Sequence, residues 1–267
     1  MRIILRPIIL LIAVVTALSP GCASTATMSS VELRQVLAPT GKLRVGLYPG
    51  TPTSYVRDNP AVEPKGVGYE LGNELAKRLG VPYEPVVFSK NAEVLEALKA
   101  GKIDVAFTNA TATRAKDMDF TPPYLDIELG YLVPKGSKVT SMADIDLPGI
   151  RVGVTEHSSS DAALSHDLKN ATVVRSGTVK NGIEMLAQHQ IDAYATNKAT
   201  LFEMADALPG TRVLDGRWGL ERHAVAIPKG RDAGMVFVRK FAADVKAEGL
   251  VKAAVQRAGL RGTVDLQ

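Results

Sequence analysis

The sequence predicts an α/β fold in which parallel strands are covered by helices and the chain forms two lobes. Short apolar segments of β type alternate with amphipathic helical segments through most of the 267 residues, a pattern typical of parallel sheets with helices on their faces. The alternation starts near residue 43 and again near residue 151, and Arg-Val-Gly occurs at both starts. Pro-Lys-Gly follows a β-type segment at 134–136 and at 228–230, which predicts two crossings between the lobes.

The first half of the chain contains three predicted strands and two predicted helices. Each helix carries leucine or valine on one face, with the spacing of an amphipathic helix, and a glycine follows it. The loops between these elements are short, which fits parallel strands with helices between them. The strands are expected at 43–47, 84–88 and 103–107, and the helices at 69–79 and 92–100.

The second half repeats this alternation and ends in two helices. Residues 158–161, Ser-Ser-Ser-Asp, form a strong N-cap signal before one helix, and unpaired N–H groups at a helix start also favour anions. The final two helices are expected to pack back on the first lobe. Strands are expected at 129–133, 151–154, 172–175, 191–195 and 223–227, and helices at 162–168, 179–187, 200–208, 234–247 and 250–258.

The two crossings set the predicted domain boundaries. Residues 33–131 together with 225–267 form the first lobe, and residues 132–224 form the second lobe. Ligands of parallel sheets bind beyond the carboxyl ends of the strands. Residues 48–52 and 108–114 both follow such strands, so we expect them to face the same crevice.

The N-terminal segment, residues 1–22, has the pattern of an export signal, and residues 23–32 would form a tether. Arg2 and Arg6 precede an apolar run that is too short to cross a membrane. Cys22 lies among small residues, as in a lipoprotein cleavage site, and conventional cleavage after Ala23 is the alternative. We therefore expect a periplasmic or extracytoplasmic protein that is attached to the membrane at most through a lipid on Cys22.

The composition excludes several classes of function. The formal charge of +4 falls by two without Arg2 and Arg6, and the remainder is too small to indicate nucleic-acid binding. A single cysteine rules out an internal disulfide and a cysteine metal cluster, and the four histidines lack ligand spacing. We therefore expect no bound nucleic acid, metal or cofactor, and we expect the protein to act as a monomer.

Polar residues follow the predicted strand 103–107 and define the main candidate site. Thr108, Asn109 and Thr111 supply hydroxyl and amide groups, and Arg114 supplies a guanidinium. A guanidinium presents a rigid fork of donors that matches a carboxylate. The cluster therefore favours a small anionic group, with a polar loop that carries a surface arginine as the alternative.

The stretch from Thr111 to Tyr124 fills the pattern T-x-x-R-x-x-x-x-D-F-[ST]-x-P-Y. This pattern resembles the signature of the family 3 solute-binding proteins, the polar-amino-acid-binding subunits of ABC importers. Supporting matches are GYEL at 68–71, RVGV at 151–154 and IDAY at 191–194, and the similarity covers roughly residues 33–260.

This resemblance implies a bilobal periplasmic-binding-protein fold of type II, with two parallel-rich sheets that are flanked by helices and joined by two hinge crossings. It also implies capture of a small carboxylate-bearing or amino-acid-like solute, anionic or zwitterionic, in the cleft between the lobes. The lobes close because the solute contacts both of them only in the closed form. The solute would then pass to the permease subunits of an ABC importer, and a sensor that docks on a receptor is an alternative.

In the family, the arginine that matches Arg114 holds the ligand carboxylate, with help from the donors before it and from the helix start in the second lobe. Two charge-assisted hydrogen bonds of ~1.5–3 kcal/mol each would supply much of the roughly 8 kcal/mol of a micromolar affinity. With the residues discussed next, the candidate ligand-binding residues are Arg114, Thr111, Asn109, Thr108, Tyr48, Ser158, Ser159, Asn197 and His157.

Two positions depart from the family pattern. Amino-acid binders usually place carboxylates there to hold the ligand ammonium, and this chain has Tyr48 and Asn197. An ammonium buried without a carboxylate is unfavourable, so the sequence favours a small anionic solute that need not carry an α-ammonium. Glu156 and Glu70 are the candidates to replace the missing carboxylates. His157 stands where a glycine is common, and would be an extra donor or simply bulk.

Enzyme functions have weaker support. Residues 158–160 are serines beside His157 and Asp161, but neighbours at one helix start do not point at one another as a catalytic triad must. Periplasmic cyclohexadienyl dehydratases use this bilobal fold with an acid in the cleft, and Glu156 is the candidate acid here. We expect a binding protein that is not an enzyme, with the dehydratase-like enzyme as the alternative.

Overall fold

The computed structural model of the protein describes residues 28–57 and 59–264. The predicted export signal, its Cys22 and the first part of the predicted tether lie outside these residues. Near the start of the described chain, Ser29 caps a helix: its hydroxyl accepts from the Glu32 N–H at 3.3 Å and its own N–H donates to the Glu32 carboxylate at 2.9 Å. Helical structure therefore begins within the stretch 23–32.

The secondary structure follows the predicted alternation of strands and helices. The helices are α1 (Ser30–Leu37), α2 (Val67–Leu79), α3 (Asn91–Lys99), α4 (Ser159–Asp167), α5 (Val179–Ala187), α6 (Lys198–Ala207), α7 (Asp232–Ala247) and α8 (Leu250–Arg257). The strands are β1 (Leu43–Leu47), β2 (Tyr83–Val87), β3 (Val105–Asn109), β4 (Met118–Phe120), β5 (Leu125–Val133), β6 (Arg151–Thr155), β7 (Thr172–Ser176), β8 (Ala193–Asn197), β9 (Arg212–Val213) and β10 (Gly219–Pro228). None of the helices in the described part of the chain has the length and apolar character of a membrane span.

The strands form one curled sheet in the order β2-β1-β3-β10-β5-β8-β6-β7. The first parallel half consists of β2, β1 and β3, and the second consists of β8, β6 and β7. The long strands β5 and β10 pair antiparallel with each other, and each also pairs antiparallel with one of the two halves. The two parallel halves are thus joined by two crossing strands, and the predicted α/β fold class is confirmed.

Each parallel half has its own hydrophobic core. In the first half, α2, α7 and α8 contribute Leu71, Phe241 and Val255 to one buried cluster beside the strands. In the second half, Val152 of β6 and Tyr131 of β5 belong to another cluster. Burial of one such side chain contributes roughly 1.5–3 kcal/mol. The last two helices therefore pack back on the first half, as the sequence predicts.

Pairing with neighbouring strands extends β3 and β10 beyond the predicted limits: β3 pairs with β10, and the added first residues of β10 pair with β5. Strand β10 begins at Gly219, and β3 continues through Asn109. Across this antiparallel ladder, Asn109 lies opposite His223 and Thr108 lies opposite Ala224. The expectation that Thr108 and Asn109 belong to a loop is therefore wrong, because the neighbouring strand holds their backbone in the sheet.

Candidate functional site

Arg114 begins a 3-10 turn after β3, and its guanidinium folds back on the end of that strand. Nη1 donates to the Thr108 hydroxyl at 3.0 Å and to the Asn109 carbonyl at 2.9 Å, while the Arg114 N–H donates to the Thr111 hydroxyl at 3.2 Å. Burial lowers the pKa of the guanidinium, and the negative charge of Glu221 acts in the opposite direction. Both partners of the Arg114 side chain are neutral, so its remaining donors can bind an anion.

Glu221 on β10 is a buried carboxylate between the two halves of the sheet, with 7% of its surface exposed. It accepts from the Ser159 hydroxyl at 3.0 Å, the Asn197 amide at 2.9 Å and the His223 Nε2 at 3.1 Å. Burial raises the pKa of Glu221, but hydrogen bonds from His223 and Ser159 and the charge of Arg114 outweigh burial and leave the pKa below its usual value. The site therefore holds an ionised carboxylate.

Tyr48, in the loop after β1, lies within electrostatic reach of both charged groups. Burial and the negative charge of Glu221 raise the pKa of Tyr48 to about 12, while a hydrogen bond with Thr53 and the charge of Arg114 act in the opposite direction. Its hydroxyl is therefore protonated at neutral pH. Tyr48, Arg114 and Glu221 form what we call the central cluster.

The start of α4 lies across a cavity of about 480 Å³ from Arg114, and Thr111, His157, Ser158 and Ser159 also line this cavity. The Ser158 hydroxyl caps the helix by accepting from a backbone N–H of the first turn. His157 has a φ of 60°, in the left-handed region that glycine enters most easily. This backbone conformation explains why a glycine is common at the position of His157 in the family. We call this space the arginine cavity.

Asn197 connects the second half of the sheet to Glu221. Its side-chain oxygen caps α6 by accepting from the Thr200 N–H at 3.0 Å, and its amide nitrogen donates to Glu221. The hydroxyls of Thr200 and Thr51 lie 3.5 Å apart, so residues from the predicted first and second lobes touch beside the central cluster. The two predicted lobes are in contact at the site.

Comparison with known proteins identifies the family. Residues 43–259 match the sequence model of the Bacterial extracellular solute-binding proteins, family 3. The chain belongs to this family. The resemblance seen in the sequence and the bilobal fold that it implies are thus confirmed.

Relatives of this solute-binding protein are similar over most of their length. The ABC transporter glutamine-binding protein GlnH of Bacillus subtilis (strain 168) is 24% identical over 212 residues, which cover 78% of this chain and 77% of that protein. The L-cystine-binding protein TcyJ of Escherichia coli (strain K12) is 26% identical over 223 residues, which cover 81% and 82%. The crystal structure of AbpA from Streptococcus pneumoniae Canada MDR_19A, an amino acid ABC transporter substrate-binding protein bound to L-arginine, has a TM-score of 0.75 at 23% identity and covers 84% of this chain and 97% of that chain. That structure shares the fold.

The nine candidate residues of this solute-binding protein lie in one region. They comprise Arg114 with its partners Thr108, Asn109 and Thr111; Ser159 and Asn197, which meet at Glu221; Tyr48 of the central cluster; and His157 and Ser158 on the arginine cavity. His157 and Ser158 are the least well positioned of the nine to bind a ligand, because the Ser158 hydroxyl already caps α4 and the His157 side chain is 73% exposed.

The two carboxylates that the sequence suggested as replacements lie outside the central cluster. Glu70 on α2 pairs with Arg257 on α8, and the Glu156 side chain is exposed beside His157. Neither has a contact with Arg114 among the described residues. Both suggestions are therefore wrong, and the carboxylate near Arg114 is Glu221.

Sequence reasoning missed Glu221 because the extent of β10 depends on pairing with other strands. The available signal was the alternation in the segment Leu220 to Val225. Glu221 and His223 are buried on one face of the strand and Arg222 between them is exposed. Two polar residues on the buried face of a crossing strand indicate a functional position, since buried charge is unfavourable without partners.

Proposed function

We propose that the protein captures a zwitterionic, amino-acid-type solute in the cleft between the lobes and delivers it to an ABC importer. The observation that carries this proposal is the pairing of opposite charges in the central cluster. Glu221 is buried and Arg114 is half-buried, and the two interact electrostatically. The side-chain hydrogen bonds of Arg114 nevertheless go to neutral groups. A zwitterion supplies one partner for each charge.

The anionic end of the solute is assigned to Arg114. A carboxylate in the arginine cavity would meet the guanidinium and the N-terminus of α4, which both favour negative charge. Two charge-assisted hydrogen bonds of about 1.5–3 kcal/mol each would provide a large part of the roughly 8 kcal/mol of a micromolar affinity.

The cationic end is assigned to Glu221. A plain anion bound beside this carboxylate would be repelled in a site of low dielectric, whereas an ammonium would be attracted. Glu221 thus binds the ammonium in place of the carboxylates that other amino-acid binders carry at the positions of Tyr48 and Asn197. This proposal replaces the hypothesis of an anionic solute without an ammonium, and the names of the glutamine- and cystine-binding relatives support it.

The lobes are proposed to move about the two crossing strands. In this division the first lobe comprises residues 33–131 and 225–267, and the second comprises residues 132–224. Strands β5 and β10 are the two connections of the parallel halves within the sheet path. A solute that contacts both lobes shifts the population toward the closed form by its differential affinity, and the closed form is the one that a permease would recognise.

Location and partners follow from the family and from the N-terminal sequence. The family is extracellular by name, and we propose a periplasmic or cell-surface location with attachment through Cys22 when that residue is lipidated. The proposed partners are ABC permease subunits, and the proposed state of the protein in solution is a monomer. A receptor that recognises the closed form is the alternative partner.

We propose binding without catalysis. The exposed Glu156 lies outside the central cluster, and Glu221 has a lowered pKa, so neither is suited to hold a proton for a general acid in the cleft. Turnover of prephenate or arogenate by the purified protein would contradict this assignment.

Isothermal titration calorimetry tests the proposal. We expect at least one standard amino acid to bind with a Kd of roughly micromolar or lower, and its analogue without the amino group to bind at least about tenfold more weakly. Arg114→Ala and Glu221→Gln should each weaken binding by at least about tenfold while the fold is retained. Equal affinities for the amino acid and its deaminated analogue would contradict the assignment of Glu221.

A further inference from the structure

A second cavity adjoins Tyr48 of the central cluster and is lined by residues from both lobes. Its volume is about 500 Å³. Tyr48 lines it and also interacts electrostatically with Arg114 and Glu221, so the cavity begins next to the charges that hold the two ends of the zwitterion. We call it the lysine cavity, after Lys90 and Lys180. Its position is that of a subsite for the solute side chain.

Lysines from opposite lobes give this cavity an excess of positive charge. Lys90 precedes α3 in the first lobe, and Lys180 lies in the first turn of α5 in the second lobe. Within the described residues, neither ammonium forms an ion pair with a carboxylate. Glu93, the acidic group that interacts with Lys90, accepts hydrogen bonds from both the N–H and the hydroxyl of Ser89.

One carboxylate lines the same cavity, but a cation from outside the cavity pairs with it. Glu203 on α6 has its carboxylate 3.4 Å from the guanidinium of Arg261, which also pairs with Asp206 at 2.5 Å. The cavity therefore has two ammonium groups and one carboxylate, and the excess of one positive charge remains. Like charges from opposite lobes repel when closure brings them to one space, and an anion between them removes that repulsion.

A polar atom without a partner lies beside the lysines. The side-chain oxygen of Asn91, at the start of α3, is buried without a hydrogen-bond partner, and Asn91 lines the cavity. The amide nitrogen of Asn91 carries two N–H donors, so this side chain can donate to an anion in the cavity.

We infer that the lysine cavity binds an anionic side chain, so that the solute is an acidic amino acid with a second carboxylate. This inference rests on the proposed function, because Arg114 and Glu221 must hold the α-carboxylate and the α-ammonium. Lys90 and Lys180 then determine specificity through the distal carboxylate. A neutral side chain of the same shape does not compensate the repulsion between the ammonium groups of Lys90 and Lys180.

The test compares L-glutamate and L-aspartate with L-glutamine and L-asparagine by calorimetry at neutral pH. With the full chain, we expect an acidic amino acid to bind at least about tenfold more tightly than its amide. Lys90→Met and Lys180→Met should each reduce that preference at least about threefold, and the double variant should abolish it. Lys102→Met, an exposed lysine outside the cavity, is the matched control and should keep the preference.

The outcomes separate this inference from the proposed function. If an amide or another neutral amino acid binds as tightly as the acidic ones, and Arg114→Ala still weakens binding at least about tenfold, the lysine cavity is not an anionic subsite and the proposed function stands. If Lys90→Met and Lys180→Met leave the acidic preference unchanged, other residues determine it and the inference fails. If no amino acid binds to the unmodified protein, both proposals are overturned.

Discussion

The two parallel halves of the sheet contain the same ion-pair arrangement, but among the residues that the structure describes, a third residue joins it only in the first half. Arg44 at the start of β1 donates to Asp104 through its backbone N–H and its Nε, both at 2.9 Å. Arg151 at the start of β6 makes the same two bonds to Asp192, at 2.8 Å and 3.0 Å. In the first half, Arg231 also donates to Asp104, at 2.8 Å.

This difference shows how the returning chain is attached to the first lobe. Arg231 lies immediately before α7, and its bond to Asp104 connects the C-terminal helices to the sheet. The Asp104 side chain is fully buried, whereas that of Asp192 is 17% exposed. In each half, the arginine is at the start of the first parallel strand and the aspartate lies just before the third, so the repeated arrangement joins two neighbouring strands of the sheet. In the first half, Arg231 also joins it to α7.

Replacement of Asp104 by Asn is expected to have the largest effect. Removal of this buried charge leaves two arginines without an anion, which costs about 3–5 kcal/mol of unfolding free energy. Urea denaturation followed by circular dichroism measures the loss, and Asp215→Asn, at an exposed aspartate, is the control. A loss as small as that of the control would show that the arrangement contributes little to stability.

Arg231→Met makes the first half resemble the second half, and its effect should be intermediate. The variant removes one hydrogen bond to a charged group and keeps an apolar stem, so we expect a loss of about 1.5–3 kcal/mol in unfolding free energy. Arg239→Met, on the exposed face of α7, is the matched control. Faster amide hydrogen exchange confined to α7 and α8 would confirm that Arg231 attaches the returning helices.

Asp192→Asn should have a smaller effect, of about 1 kcal/mol, because its partner Arg151 is 41% exposed and solvent weakens the pair. Burial raises the pKa of Asp192, but the hydrogen bonds from Arg151 outweigh burial and lower it overall. The stability that this pair contributes is therefore complete above the unfolded pKa of about 3.9 and is lost as the pH falls through the lower folded pKa.

The pH dependence of stability tests whether the pKa of Asp192 is lowered in the folded protein. As the pH falls below about 4, the difference in unfolding free energy between the unmodified protein and Asp192→Asn should shrink, because the carboxyl is protonated first in the unfolded state and, at lower pH, in the folded state as well. Denaturation curves at pH 7 and in acid measure it. A difference that grows toward acid would contradict the assigned pKa direction.

The smallest expected effect comes from the turns that precede the two aspartates. Gly101 has a φ of 66° and the matching His189 has a φ of 53°, and both carbonyls accept from the arginine of their half. His189→Gly relieves left-handed strain of about 1–2 kcal/mol but increases the entropy of the unfolded chain by about 0.4–1 kcal/mol. We expect a net gain of about 0.5 kcal/mol, seen as a higher Tm, and a lower Tm would contradict it.

Much of the fold can be predicted from the sequence because its signals are local. Both Arg-Val-Gly strands, the helices after them and the return of the last two helices follow from hydrophobic spacing and from glycine at helix ends. The signature around Arg114 likewise lies within one continuous stretch. Such patterns identify an element without knowledge of its neighbours.

The burial and contacts of Glu221 could not be predicted from local sequence patterns. Its burial depends on the pairing of β10 with β3 and β5, and its three donors come from α4, from the end of β8 and from β10 itself. These contacts join residues far apart in sequence. The same reason explains why Thr108 and Asn109 were expected in a loop, since only the pairing with β10 places them in the sheet.

The position of Glu221 on a crossing strand has a consequence for the order of binding events. A group close to a rotation axis is displaced least when two bodies turn about it. Opening about β5 and β10 would carry Arg114 of the first lobe away from Glu221 and remove the effect of its positive charge. Glu221 would keep its three hydrogen-bond donors, which lie in its own lobe. The open form would then present a less neutralised carboxylate, which attracts a cation over a longer range at low ionic strength. We therefore expect the ammonium end of the solute to arrive first and the carboxylate end to be captured on closure.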